Sequence, residues 1–251
     1  MKKLILVGLT VGLAGFASTK ADTLVSGSAT INYDQTVWDS LASGFGPTPV
    51  LTLGAFFDQA DANARTQAQL LSDPNPGGGA APYTGEVYAM NGPSVVNLPT
   101  RYTQPTTFSF TPGDLAGGAG SIGLGGVARF DVYGGTLGSL LFGDFTLQYD
   151  SSRIPLGGTG WYLMGNIPPA AAVFDLLDVN IVESPGSFNI SGDLGVSYEV
   201  ANYLFDTPGD ALADVGNFSF TATTVPEPSA IALVGVATLV PWLRRSKTIA
   251  H

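Results

Sequence analysis

Between Asp22 and Thr224 the chain never holds one hydrophobic period for long. Apolar and small polar residues alternate over short stretches, and glycine or proline then interrupts them. Alternation places successive side chains on opposite faces of a strand, and regular interruption keeps the strands short. In the first stretch Val25, Ala29, Ile31 and Tyr33 share one face, while Ser26, Ser28, Thr30 and Asn32 take the other. Residues 50–57 are apolar enough for a strand buried on both faces. Further strands are predicted over 86–90, 106–110, 128–133, 140–149, 161–167, 173–182, 187–190, 196–204 and 217–224. Phe108, Phe110, Phe130, Phe145, Leu147, Phe218 and Phe220 fall on alternate positions within them and are expected in the core. The expected fold class is therefore all-β: an antiparallel β-sandwich-like single domain over 22–224. Cysteine is absent, so such a domain stands on its core without disulfides.

One short helix is expected, over 58–71. Asp58 would cap it, Asp61 would lie in its first turn, and Ala64, Ala68 and Leu71 would line one side. It ends before Asp73-Pro74-Asn75-Pro76-Gly77-Gly78-Gly79, which reads as a loop. The triplet Gly113-Asp114-Leu115 returns loosely at Gly143-Asp144-Phe145, Gly192-Asp193-Leu194 and Gly216-Asn217-Phe218. A turn signature accounts for it better than a repeat, because the spacing is uneven. The glycine run over 117–126 reads as a loop or a glycine-laden strand.

The two ends differ in kind from this region. Lys2 and Lys3, an apolar stretch over 4–17, and Thr19-Lys20-Ala21 spell a secretory signal with cleavage after Ala21. Gly15-Phe16-Ala17 is a rival cut, and an uncleaved anchor is the alternative. At the other end, Val225-Pro226-Glu227-Pro228 precedes an uncharged apolar run over 230–243, then Arg244, Arg245 and Lys247. As a helix that run would rise about 21 Å, short of the ~30 Å hydrocarbon layer unless its flanks contribute. A C-terminal transmembrane helix with Arg244, Arg245 and Lys247 on the cytoplasmic side is expected, against the alternative of a buried core helix.

Those ordered features, Pro226-Glu227-Pro228, a short apolar segment and a terminal Arg244-Arg245, resemble the PEP-CTERM sorting tail of exported bacterial proteins. The resemblance covers about 25 residues over 225–251. It implies export through Sec-type machinery and recognition by a membrane-embedded exosortase-like enzyme that processes the tail near Pro226-Glu227-Pro228. The same kind of tail has been labelled an ice-binding-protein C-terminal domain, a label that describes the tail alone. Pro241 and the extension over 246–251 depart from the pattern. The stretches around Gly143-Asp144-Phe145, Gly160-Trp161-Tyr162 and Phe218-Ser219-Phe220 are similar to the β-rich body of some proteins with such tails; that likeness implies a fold and an exported setting, and no activity. Three segments follow: a signal peptide over 1–21, an extracytoplasmic β-rich domain over 22–224, and a sorting and anchor tail over 225–251.

Charge narrows the partners. Only Arg65, Arg101, Arg129 and Arg153 are basic between Asp22 and Thr224, against nineteen carboxylates, a balance of −15. Such a region repels nucleic acid and anionic lipid. His251 is the only histidine, so triads built on histidine, Cys-His pairs and most zinc sites are excluded between 22 and 224. No phosphate-binding loop with its lysine occurs there either.

What remains is carboxylate chemistry. Glu86, Glu183 and Glu199 are the glutamates from which a glycosidase pair could be drawn. Calcium is the metal that hard oxygen ligands would suit, and Asp58-x-x-Asp61-x-Asn63 and Asp206/Asp210/Asp214 are the densest acidic groups. Neither has the spacing of a calcium loop, and no cofactor is expected. Trp38, Trp161 and Tyr162 could stack on sugars or fill the core. The expectation is an exported, non-catalytic surface or matrix protein that contacts exopolysaccharide and meets the membrane through its tail. The alternative is a carboxylate-dependent polysaccharide hydrolase.

Overall fold

The computed structural model describes residues 21–41, 50–73, 83–96, 98–133, 138–204 and 207–227. The alternating stretches become twelve strands among these: β1 (Asp22–Tyr33), β2 (Val50–Asp58), β3 (Glu86–Met90), β4 (Ser109–Thr111), β5 (Asp114–Ala119) and β6 (Ile122–Tyr133), then β7 (Ser139–Gly143), β8 (Thr146–Tyr149), β9 (Trp161–Gly165), β10 (Ala171–Ser184), β11 (Ser187–Val196) and β12 (Asp214–Pro226). Eight of them, in the order β1-β3-β6-β8-β9-β10-β11-β12, pair antiparallel with their neighbours. β12 then pairs back onto β1, from Asp22 opposite Pro226 to Tyr33 opposite Gly216.

The expected sandwich is thus corrected to a closed barrel with additional strands. A sandwich leaves edge strands on both sheets, whereas here the first and last strands meet and remove that edge. The inward positions fill the barrel: Ile31, Tyr88, Phe145, Leu163, Phe174, Phe188, Ile190, Phe218 and Phe220 are all buried.

β6 serves two sheets. Its first residues pair with β8 and β3 inside the barrel, and from Gly126 onward it pairs with β2 on one side and β7 on the other. Gly126 sits at the changeover with φ +137, in a region L side chains rarely adopt, and a Cβ there would meet the Tyr88 ring at 3.0 Å. Trp38 fills the space between barrel and outgrown sheet, its ring 4.8 Å from Phe130 and 6.1 Å from both Phe142 and Phe174.

Three short α-helices replace the single expected one: α1 (Gln35–Leu41), α2 (Gln59–Asn63) and α3 (Gln67–Ser72). Asp58 caps α2 as expected, its side chain accepting from Asp61 N. The helix then breaks, because Thr66 and Gln69 form a capping box that starts α3 afresh. The break rotates the apolar face: Ala62 and Leu70 are buried, while Ala64, Ala68 and Leu71 are exposed. No helix among the described residues is long and apolar enough to cross a membrane, and the expected span over 230–243 lies outside them.

Three further corrections are local. The strand expected over 196–204 is not formed: β11 ends at Val196, and Val200–Leu204 is a short helical turn. The strand expected over 140–149 divides at Asp144, which takes φ 46, so that β7 lies in the outgrown sheet and β8 in the barrel. In β1 the register slips between Leu24 and Ser26. The slip turns Val25 outward (52% exposed) and Leu24 inward (8% exposed), since one extra residue in a strand exchanges the two faces. We expect Leu24→Ala to cost roughly 2–4 kcal/mol and Val25→Ala less than about 0.5 kcal/mol in urea unfolding; equal costs would disprove the slip.

Candidate functional site

Where β6 leaves the barrel, a cleft opens beside β7. β9 pairs with β8 as far as Met164 opposite Thr146. One more backbone bond follows, from Asn166 N to Gly143 O at 3.3 Å. The Asn166 side chain fastens this corner by donating to Asp144 O (2.5 Å) and Thr146 Oγ1 (2.7 Å). The chain then swings away through Ile167, Pro168 and Pro169, the last two joined by a cis bond, and returns as β10. β7 instead continues along β6. A cleft of about 360 Å³ separates the two, walled by residues 139–142 of β7 on one side and by Ile167, Pro168 and Val173 on the other. Leu71 and Gln67 of α3 line it as well, and Gln67 Nε2 donates to Pro168 O at 3.2 Å.

One ionisable side chain, Glu199, reaches the cleft. Both its oxygens are held by Arg153, at 2.8 and 2.9 Å. Arg153 also grips Asp175 through Nε (2.5 Å) and Nη2 (2.8 Å), and its guanidinium lies 4.7 Å from the Tyr162 ring centre. The hydrogen bonds from Arg153 hold the Glu199 carboxyl below the usual glutamate range, and those to Asp175 and Glu199 push the Arg153 guanidinium up. Glu199 is therefore a fixed anion, already paired with Arg153 and unsuited to giving up a proton.

The other arginines are committed too. Arg65 pairs with Asp61 (3.0 Å) and Asp73 (3.1 Å), Arg101 with Asp144 (2.7 Å), and Arg129 with Asp131 (3.0 Å). With no lysine between 22 and 224, every basic side chain of that region has a carboxylate on it.

The sequence-marked residues scatter. Glu86 is buried inside the barrel, Glu183 accepts from Gly113 N at 2.9 Å, and Glu199 stands at the cleft on Arg153, so the three glutamates lie on separate elements and share no partner. Asp58 is a helix cap, Asp61 an ion-pair partner, and Asp214 accepts from Gly216 N at 3.1 Å; Asp206 lies outside the described residues. No group of three such ligands that could hold a metal comes together among the described residues. Trp38 and Trp161 are buried and Tyr162 is half-buried, whereas Tyr102, Tyr149 and Tyr198 are exposed. Ala21 directly precedes β1, Pro226 ends β12 and Glu227 is exposed. Pro228, Arg244, Arg245 and Lys247 lie outside the described residues. The cleft was missed in the sequence; its traces there are the Pro168-Pro169 pair after a strand and the uncharged run Ser139-Leu140-Leu141-Phe142-Gly143. Searches against protein-family models, curated proteins and solved structures return no match to this chain.

Proposed function

We propose that the chain is an exported, non-catalytic barrel that is cut free of its signal after Ala21 and sorted to the cell surface or matrix through its Pro226-Glu227-Pro228 tail. One observation carries the reading. The barrel's closing seam pairs Asp22 with Pro226 and Thr23 with Val225. The cleavage site read from the sequence lies just before that seam and the sorting motif starts at its last residue, so cuts after Ala21 and beyond Pro226 would take away no barrel strand. A delivered domain needs this property, because processing must leave it whole. Sec-type machinery and an exosortase-like enzyme are the partners such a route requires. Exposed Tyr102, Tyr149 and Tyr198 are the side chains through which exopolysaccharide would be contacted.

Mass spectrometry of the exported protein should find Asp22 at the N-terminus; a start at Met1 would refute the cut. Replacing Pro226, Glu227 and Pro228 by alanine should shift the protein between membrane and medium fractions, and an unchanged distribution would refute sorting by the tail. Incubation with host exopolysaccharide should give calorimetric heat without new reducing ends. New ends that vanish in Glu199→Gln would overturn the non-catalytic reading in favour of hydrolysis.

A further inference from the structure

We propose that the cleft beside β7 is a docking site for an extended cationic peptide of a partner protein, which adds as a strand to the outer edge of β7.

The geometry is that of an interrupted sheet. Four consecutive residues, Ser139, Leu140, Leu141 and Phe142, line the cleft. A strand seen face-on would contribute alternate residues, so the cleft meets β7 along its edge. The direction of the backbone groups follows from the register. Val132 N donates to Gly138 O and Asp144 N to Gly126 O, so Leu140 and Phe142, in step with these, turn their backbone groups toward β6. Ser139, Leu141 and Gly143 turn theirs outward. Gly143 O is used by Asn166 N, which is where β9 stops following the sheet. Beyond it, among the described residues, nothing pairs with the outward groups of Ser139 and Leu141. An incoming strand would occupy the line that β9 abandons at Ile167.

Chemistry selects the occupant. Exposed edges are ordinarily blunted by lysine, proline or a bulge. β7 has none of these and no charge at all. The edge of β2 is treated differently, for there the Tyr83 hydroxyl covers Leu53 N at 2.8 Å. β7 and its apolar wall therefore suit strand addition, in which backbone bonds give affinity and side-chain pockets give selectivity. The sign of the partner follows from charge. All four arginines between 22 and 224 are neutralised by carboxylates, Glu199 at the cleft shares Arg153 with Asp175 so that two carboxylates face one guanidinium, and the region carries −15. A second copy of this chain or an acidic strand is repelled, and a strand bearing lysine or arginine is drawn in.

The probe is a nine-residue peptide of alternating valine and threonine with lysine at both ends, titrated by fluorescence anisotropy into the full-length protein. It should bind about tenfold or more tightly than its glutamate-ended counterpart, and the gap should shrink at high salt. Bound peptide should slow hydrogen exchange at Ser139 and Leu141. A peptide N-methylated on alternate residues should not bind. Leu141→Pro removes an outward N–H without touching the β6 ladder and should abolish binding while the circular dichroism spectrum is kept. If that variant fails to fold, the N-methylated peptide still decides. Equal affinity for the two charge types, protection elsewhere, or no binding at millimolar peptide would each overturn the proposal. Concentration-dependent self-association that protects 139–143 would replace the partner peptide by a second copy.

Discussion

Replacing Asp144 by alanine is expected to destabilise the barrel by about 3–5 kcal/mol, the usual cost of stranding one partner of a buried ion pair. Arg101 and Asp144 are both wholly buried. Nε and Nη2 of Arg101 donate to the two carboxylate oxygens at 2.7 Å each, and Nη1 donates to the carbonyls of Ala62 and Arg65. The pair thus joins the loop before β4, the end of α2 and the corner where β7 passes into β8. Removing the carboxylate leaves a guanidinium in an apolar surround with no countercharge. Arg101→Lys should also be poorly tolerated, because an ammonium cannot reproduce the paired fork. The double replacement Arg101→Met with Asp144→Leu should recover more than half of the loss in urea unfolding, since it removes the stranded charge. If Asp144→Ala alone costs under about 1 kcal/mol, the pair is not the clamp described.

Glu86→Gln should make the protein more stable at neutral and alkaline pH and leave it unchanged in acid. Glu86 begins β3, opposite Ile31, and is 2% exposed, with Oε1 unpartnered among the described residues. The titratable groups near it are of no help: Tyr33 and Tyr88 are neutral, bond each other through their hydroxyls at 3.1 Å, and are pushed up by burial and by the nearby Glu86 carboxylate. Burial raises its carboxyl from 4.5 to about 8. Below pH 4.5 the folded and unfolded states both hold the proton, and no penalty arises. Between 4.5 and 8 only the unfolded chain releases it, so stability falls as pH rises, by about 1.4 kcal/mol per unit. Above 8 both states are ionised and the loss is constant. At pH 7 the wild type is therefore weakened by roughly 3 kcal/mol relative to acid, a slope that the glutamine variant lacks. Chemical unfolding of both proteins at pH 4, 6 and 8 measures it; parallel curves would show that Glu86 does not titrate in this range.

What could be read from the sequence was what neighbouring residues impose on each other. Ala29, Ile31 and Tyr33 announced their shared face, as did Phe218 and Phe220, because alternation is local. Turn chemistry was legible at Thr111-Pro112-Gly113-Asp114, where Thr111 pairs with Asp114 and Gly113 takes φ +82, but the same triplet at Gly192-Asp193-Leu194 and Gly216-Asn217-Phe218 runs inside β11 and β12 and makes no turn. The slip at Val25 was not legible, since it is settled by the partner strand β12. Nor was closure: the same alternating stretches serve a sandwich or a barrel, and the choice depends on whether β1 meets β12. The helix error had a visible remedy, for Thr66-Gln67-Ala68-Gln69 spells a capping box in the middle of the expected helix. The cleft had no such spelling. It exists because β6 outlasts its barrel neighbours, and length mismatch between strands distant in sequence leaves little trace in any one of them.

The seam between β1 and β12 also sets the order in which the molecule can be assembled. Thr23 and Val225 touch although they are 202 residues apart. The strand made first must therefore wait for the strand made last, with the entropy of that whole loop still unspent. Every earlier intermediate carries β1 with one side bare, and contacts of such long span make folding slow. On the proposed export route, where the chain would pass a narrow channel in extended form, slowness is an advantage. The N-terminal strand cannot lock into a barrel until the final strand has arrived beside it, so completion of the fold becomes a record that the whole domain has come through.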